Sequence, residues 1–209
     1  MSKIFFDVAV SLDGYIAGPN RGPRNPLGDR GISVHDWMFQ TAFFRKMIGL
    51  PGGDAGDDDK VVRAVFERSG AYVMGRHMFE EGEVGWPEEA PFHAPVFVLT
   101  HTPREPWPRK GGTTFHFVTD GMKSALEKAK AAARGKDVRI SGGAATIRQF
   151  LKAGLVDEFT LHVAPVILGA GVSLFDHMLH DDFKAEQTQV IPSRLATHIT
   201  YRVDRSPTP

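Results

Sequence analysis

Asp137-Val-Arg-Ile-Ser141-Gly142-Gly143-Ala-Ala-Thr146-Ile-Arg-Gln-Phe-Leu151, followed after two residues by Gly154-Leu-Val-Asp-Glu158-Phe-Thr-Leu-His-Val-Ala-Pro-Val-Ile-Leu168-Gly-Ala-Gly171, is the stretch on which the reading of this chain turns. A short apolar strand runs into paired glycines, and a helix starts at once. Such a turn lets backbone N–H groups meet a phosphate, because no side chain blocks the approach and the helix N-terminus is partly positive. After Gly154 the pattern changes to strand upon strand. The stretch therefore predicts a phosphate-bearing ligand and an α/β fold that ends in β structure.

Working outward, Ile4 to Val10 is apolar apart from Asp7 and reads as a buried strand. Gly18 to Gly31 is a Gly/Pro-rich loop. Val34 to Ile48 has the apolar spacing of one helix. Leu50 to Asp59 reads as a loop. Its Asp57-Asp58-Asp59 run is either a cation site or, as such runs more often are, a solvated cap for the helix Lys60 to Arg68. Strands follow at Ala71 to Met74, Val96 to Thr100 and Phe115 to Val118. Arg76 to Glu81 is a short helix, and Pro103 to Gly112 is a connection. Asp120 is the expected N-cap of an Ala/Lys-rich helix through Ala133. Glu158 to Val166 is a strand, and Phe183 to Ile191 and Ala196 to Val203 form a hairpin around Pro192-Ser193-Arg194. The pattern is a mostly parallel sheet with an antiparallel edge, in one domain over residues 1–205, with Ser206 to Pro209 frayed.

Composition narrows the function. In 209 residues, 25 Lys plus Arg balance 25 Asp plus Glu, which argues against a broad nucleic-acid footprint. The absence of cysteine excludes disulfides, thiolate metal sites and cysteine nucleophiles. No signal-peptide pattern precedes the first strand and no apolar run reaches membrane-span length, so the expectation is a soluble, cytoplasmic protein. His35, His77, His93, His101 and His116 are scattered, and none makes a helical zinc pair, so no metal is expected.

Three strand ends carry candidate chemistry. Gly75-Arg76-His77 offers a guanidinium fork to a phosphate. Thr100-His101 closes a strand with polar side chains. Ser141 to Thr146 is the glycine turn. Ligands of open α/β sheets sit beyond the carboxyl ends of strands, so the three together outweigh each alone. None is a dinucleotide fingerprint or a P-loop. Asp13 either orients a substrate or simply makes an Asp-Gly turn. Trp37, Phe39, Phe43 and Phe44 either form an aromatic pocket or fill core.

Ser11-Leu12-Asp13-Gly14-Tyr15-Ile16-Ala17, Met74-Gly75-Arg76, Ser141-Gly142-Gly143 and Ala164-Pro165-Val166-Ile167-Leu168-Gly169-Ala170-Gly171, in this order, resemble the dihydrofolate-reductase-like superfamily. They are most similar to the reductase domain of bacterial riboflavin biosynthesis and its stand-alone relatives. The resemblance implies a three-layer α/β fold, a central sheet with helices on both faces, NADPH as hydride donor and a homodimer. It places Gly75, Arg76 and His77 at the cofactor, with Arg76 near the 2′-phosphate. Thr100 and His101 fall on the adenosine side, and Ser141, Gly142, Gly143, Ala144, Ala145 and Thr146 around the pyrophosphate. Ala9, Val10, Ile16 and Ala17 border the nicotinamide. Asp13 and the helix face with Asp36, Trp37 and Phe39 look toward the substrate, with Asp13 and Asp36 as catalytic carboxylates. Two features depart from the family: Ser141 stands where the riboflavin reductases often carry Glu, and the zinc deaminase partner motif is absent. The resulting expectation is an NADPH-dependent reductase of a pyrimidine- or pterin-type heterocycle. A dihydrofolate reductase hinging on Asp36 and a non-catalytic nucleotide- or flavin-binding module are the alternatives.

Overall fold

The computed structural model describes residues 2–204; the tail expected to fray lies outside the described residues. The elements run β1 (Ile4–Val10), β2 (Tyr15–Ala17), α1 (Asp36–Phe39), α2 (Ala42–Met47), α3 (Asp57–Arg68), β3 (Ser69–Gly75), α4 (Arg76–Glu83), β4 (Pro95–Leu99), β5 (Trp107–Pro108) and β6 (Thr114–Val118). They continue as α5 (Met122–Ala132), β7 (Asp137–Gly142), α6 (Ala144–Lys152), β8 (Glu158–Val163), β9 (Val172–Ser173), β10 (Lys184–Pro192) and β11 (Thr197–Asp204).

The main sheet has the order β10-β11-β8-β1-β7-β3-β4-β6-β5. Its six central strands are parallel, and the hairpin β10-β11 adds an antiparallel edge beside β8. The expected connection Pro103 to Gly112 contains a further edge strand, since β5 pairs antiparallel with β6. Tyr15–Ala17 and Val172–Ser173 pair in a separate two-stranded sheet.

Period-two alternation sorts the side chains into layers. Ile4 and Phe6, Ala71 and Val73, Val138 and Ile140, and Phe159 pack with Ala125, Leu126 and Ala129 of α5 and Ile147, Phe150 and Leu151 of α6. On the opposite face Tyr72, Met74, Val96, Val98 and Phe115 pack on Phe79 of α4. Trp37, Phe44 and Val62 join α1, α2 and α3 in a smaller cluster. The same alternation leaves Asp7, Arg139, His162 and His198 off the α5–α6 face, with His162 opposite both Ala9 and His198 in the ladder.

Three local expectations are corrected. The single helix over Val34 to Ile48 is a 3₁₀ turn followed by two short helices. Thr41 breaks it: its backbone is extended, and Oγ1 accepts from Phe44 N–H at 3.3 Å while donating to the Met38 carbonyl at 2.8 Å. Apolar spacing continues across the break because both pieces face the same cluster. Asp57-Asp58-Asp59 is the first turn of α3 rather than a loop, where carboxylates meet the positive helix end. The N-cap of α5 is Gly121, and Asp120 instead accepts from Ser124 and Lys128.

Thr41→Ala removes a buried cap and orphans an N–H group. It is expected to lower unfolding free energy by about 1–2 kcal/mol, read by urea denaturation; no measurable change would show that the break does not depend on this cap.

Candidate functional site

Two cavities of about 450 Å³ each meet at the carboxyl ends of the parallel strands and share Arg21, Met78 and Gly143 in their walls. The outer one is lined by Gly75, Arg76, His77, Thr100, His101, Gly143, Ala144, Ala145 and Thr146. These come from three separate strand ends, and the sheet order β7-β3-β4 brings them side by side.

The outer cavity is built around helix N-termini. The residues at the starts of α4, α5 and α6 all line it, and the N-caps are Gly75, Gly121 and Gly143, none with a side-chain cap. The first turns carry no acidic residue, so free N–H groups and the positive helix ends are available to a ligand. Gly142 has φ +123, a conformation that favours glycine, and a Cβ at Gly75 would come within 2.3 Å of Thr146 Oγ1, so that hydroxyl would have to shift. Arg76 Nη1 reaches both Glu80 carboxylate oxygens at 2.7 and 2.8 Å, and its Nη2 lies 3.0 Å from His77 Nε2, holding the guanidinium at the cavity mouth.

The inner cavity is walled by Ala9, Ile16, Ala17, Trp37, Met38, Ser141, Gly142 and Gly143 among others. Arg21, from the loop after β2, spans to Glu81 of α4 at 2.5 Å at the junction. Two buried polar atoms in this wall, Trp37 Nε1 and Ser141 Oγ, have no protein partner.

Other expected residues stand elsewhere. Val10 is buried and lines neither cavity. Phe39 turns to Phe44, with ring centroids 5.4 Å apart. Asp36 is exposed and outside both walls. Asp13 is exposed and accepts from Ser11 Oγ at 2.6 Å and from the Leu168 and Gly169 N–H groups at 3.1 and 2.7 Å. Those bonds place it as a clamp between the β1–β2 turn and the Gly169-Ala170-Gly171 loop, with its carboxyl held below the usual range by Ser11.

Two carboxylates line the inner cavity: Glu81, paired with Arg21, and Asp7, with Arg139 and His162 beside it. Arg139 Nη2 donates to Asp7 Oδ2 at 2.9 Å, while Nε lies 2.6 Å from Oδ1 in ion contact without hydrogen-bond alignment. Burial opposes the Asp7 charge, but Arg139 and the His162 hydrogen bond outweigh it and hold the carboxyl below its ordinary range. Sequence reading passed over Asp7, Arg139, His162 and His198. The available signal was a polar residue at the inward parity of apolar strands, but it takes strand order to show that the four converge.

His35 also lines this cavity, and burial, aided by the nearby His162, pushes its pKa down to about 4. The folded protein thus binds a proton at His35 less readily than the unfolded chain does. For this group, stability is full above pH 6.5 and is lost as pH falls toward about 4. His35→Gln is expected to flatten that part of the curve in denaturation measured at a series of pH values; an unaltered slope would count against a neutral buried imidazole.

Comparison with known proteins accords with this geometry. The RibD C-terminal domain family model matches residues 2–197. The uncharacterized protein YyaP of Bacillus subtilis (strain 168) is 28% identical over 181 residues, covering 83% of this chain and 80% of YyaP. Among solved structures, a putative riboflavin biosynthesis protein from Shewanella sp. PV-4 superposes with a TM-score of 0.66 at 27% identity, covering 98% of this chain and 99% of that one. Dihydrofolate reductase from Enterococcus faecalis, solved with NADP(H), shares the fold with a TM-score of 0.54 at 14% identity, covering 97% and 96% of the two chains. The expected dihydrofolate-reductase-like α/β fold is therefore the observed one, and the chain belongs to the RibD C-terminal domain family.

Proposed function

We propose that the protein is an NADPH-dependent reductase that reduces a C=N or C=O bond of a small heterocycle. The observation that carries this reading is the convergence of three glycine-capped helix N-termini on one cavity that opens into a second, more apolar one. A dinucleotide has that division: two phosphates suit the free N–H groups, and a flat nicotinamide suits the wall of Ala9, Ile16 and Ala17. When bound, NADPH supplies the hydride.

In this reading Arg76 holds the 2′-phosphate, and Thr100 and His101 flank the adenosine. Gly143 to Thr146 face the pyrophosphate. The heterocycle occupies the inner cavity beside Trp37, with Asp7 and Arg139 in the wall. Relatives give support in kind: the similar Shewanella protein bears a riboflavin-biosynthesis description, and the Enterococcus faecalis enzyme was solved with NADP(H). A dihydrofolate reductase would take its carboxylate from Asp36, which does not reach this cavity.

Cofactor titrations test the reading directly. Arg76→Ala is expected to weaken NADPH about tenfold or more, in line with loss of a charged hydrogen-bond donor, and to leave NADH nearly unchanged. Equal losses for the two cofactors, or no binding of either by the unaltered protein, would overturn it.

A further inference from the structure

His162 separates two spaces. On one side it lines the inner cavity; on the other, with His198, it lines an open groove between α3 and strands β8, β10 and β11. A continuous chain of polar contacts crosses between them. Asp7 Oδ2 lies 3.3 Å from His162 Nε2, His162 Nδ1 lies 2.8 Å from His198 Nδ1, and His198 Nε2 lies 2.7 Å from Asp58 Oδ1. His162 and His198 are each 2% exposed, whereas the Asp58 side chain is 17% exposed, next to the groove residue Asp57. Trp37 packs against both rings, tilted to His162 and edge-on to His198, with centroids 4.5 and 4.8 Å away.

Counting protons gives this chain its meaning. Three contacts need three protons, because two lone pairs facing each other repel. Two neutral imidazoles and two ionised carboxylates hold only two. The chain is complete with one more, and it then has two end states, of which Arg139 favours the one with Asp7 ionised. In one state Asp58 is protonated, His198 carries its proton on Nδ1 and His162 carries its own on Nε2. If each proton crosses its own hydrogen bond, Asp58 becomes a carboxylate and Asp7 an acid, and every contact stays filled. The net charge of the filled chain is −1 in either state, and the adjoining Arg139 cancels it, which lets the set stay buried.

We propose that Asp58, His198 and His162 form a proton relay that carries a solvent proton to Asp7, which donates it to the heteroatom of the substrate double bond. The proposal rests on the reductase reading above. The hydride, with its electron pair, reaches the substrate carbon from the reduced dinucleotide. The π pair of the C=N or C=O bond passes to nitrogen or oxygen, and the Asp7 proton forms the new N–H or O–H bond there. The shift leaves His198 protonated on Nε2 and His162 on Nδ1, so between turnovers each ring exchanges its proton with water to regain its first tautomer, and Asp58 takes a proton from water. Asp7 is the catalytic residue; His162, His198 and Asp58 are positioning and relay residues. Several charged or titratable groups lie around the chain. Arg139 on β7 and His35 ahead of α1 face His162, while Asp57, Lys60 and Arg68 on α3 and Glu158 on β8 line the groove.

The relay is read first without ligand, in long-range proton–nitrogen spectra of the full chain with labelled histidines. Two results are expected: a coupling across the His162 Nδ1–His198 Nδ1 hydrogen bond, and a change of tautomer or protonation at His162 in Asp58→Asn, although Asp58 does not touch that ring. Independent titration of the two rings, or a His162 signal unmoved by Asp58→Asn, overturns the relay whatever the reaction. The second readout is hydride transfer from NADPH to dihydrofolate or a ribosylaminopyrimidine. His198→Ala is expected to slow it about 10- to 100-fold, with the KM for NADPH unchanged and the rate partly restored by added imidazole. A full rate in His198→Ala also overturns the relay. Absence of transfer to either probe by the unaltered protein counts against the reductase reading and leaves the spectra to decide the relay.

Discussion

A negative charge sits on the central strand of this sheet, and the rest of the site is arranged around keeping it there. Asp7 interrupts an otherwise apolar strand at a position 8% exposed. An unpaired carboxylate at such a depth would neutralise or destabilise the fold. Arg139 from β7 and His162 from β8 prevent this from the two flanking strands, and both depend on the parallel register to arrive there. Arg139 is itself packed over the Phe66 ring of α3, so the helix that covers this face of the sheet also shields the pair. The inner cavity is the space left above this supported charge.

Much of the architecture was legible from residue order. Strand and helix signals were strong where apolar periodicity was long, as in β1, α5 and β8, and the glycine turns marked the strand ends that form the outer cavity. The predicted cofactor residues from Gly75 to Thr146 meet in space because short motifs at strand ends need only the general rule for parallel sheets to be placed. Local errors came from competing local bonds. Thr41 cut a helix that the apolar pattern ran straight through, and Gly121 displaced Asp120 as a cap.

The inner site was less legible for a different reason. Asp7, His162 and His198 are far apart in sequence and bear no shared motif, and each alone reads as an oddity in an apolar strand. Only the strand order β11-β8-β1-β7 turns these oddities into neighbours. Asp13 and Asp36 drew attention because they sat next to recognisable motifs. The backbone N–H bonds at Asp13, and the exposure of Asp36, direct both away from the cavity.

The two cavities recognise their contents by different means. The outer one relies on main-chain groups at helix ends, which ask of the sequence little beyond a few glycines. The inner one is walled mainly by side chains from strands and loops that stand apart from the helix ends, with Gly143 shared between the two cavities. On the proposed reading, in which the outer cavity holds the reduced dinucleotide, a lineage built this way can change what it acts upon while keeping the same reducing partner. Diversification is thereby confined to one half of the site, and relatives a quarter identical in sequence can hold one scaffold while diverging in diet.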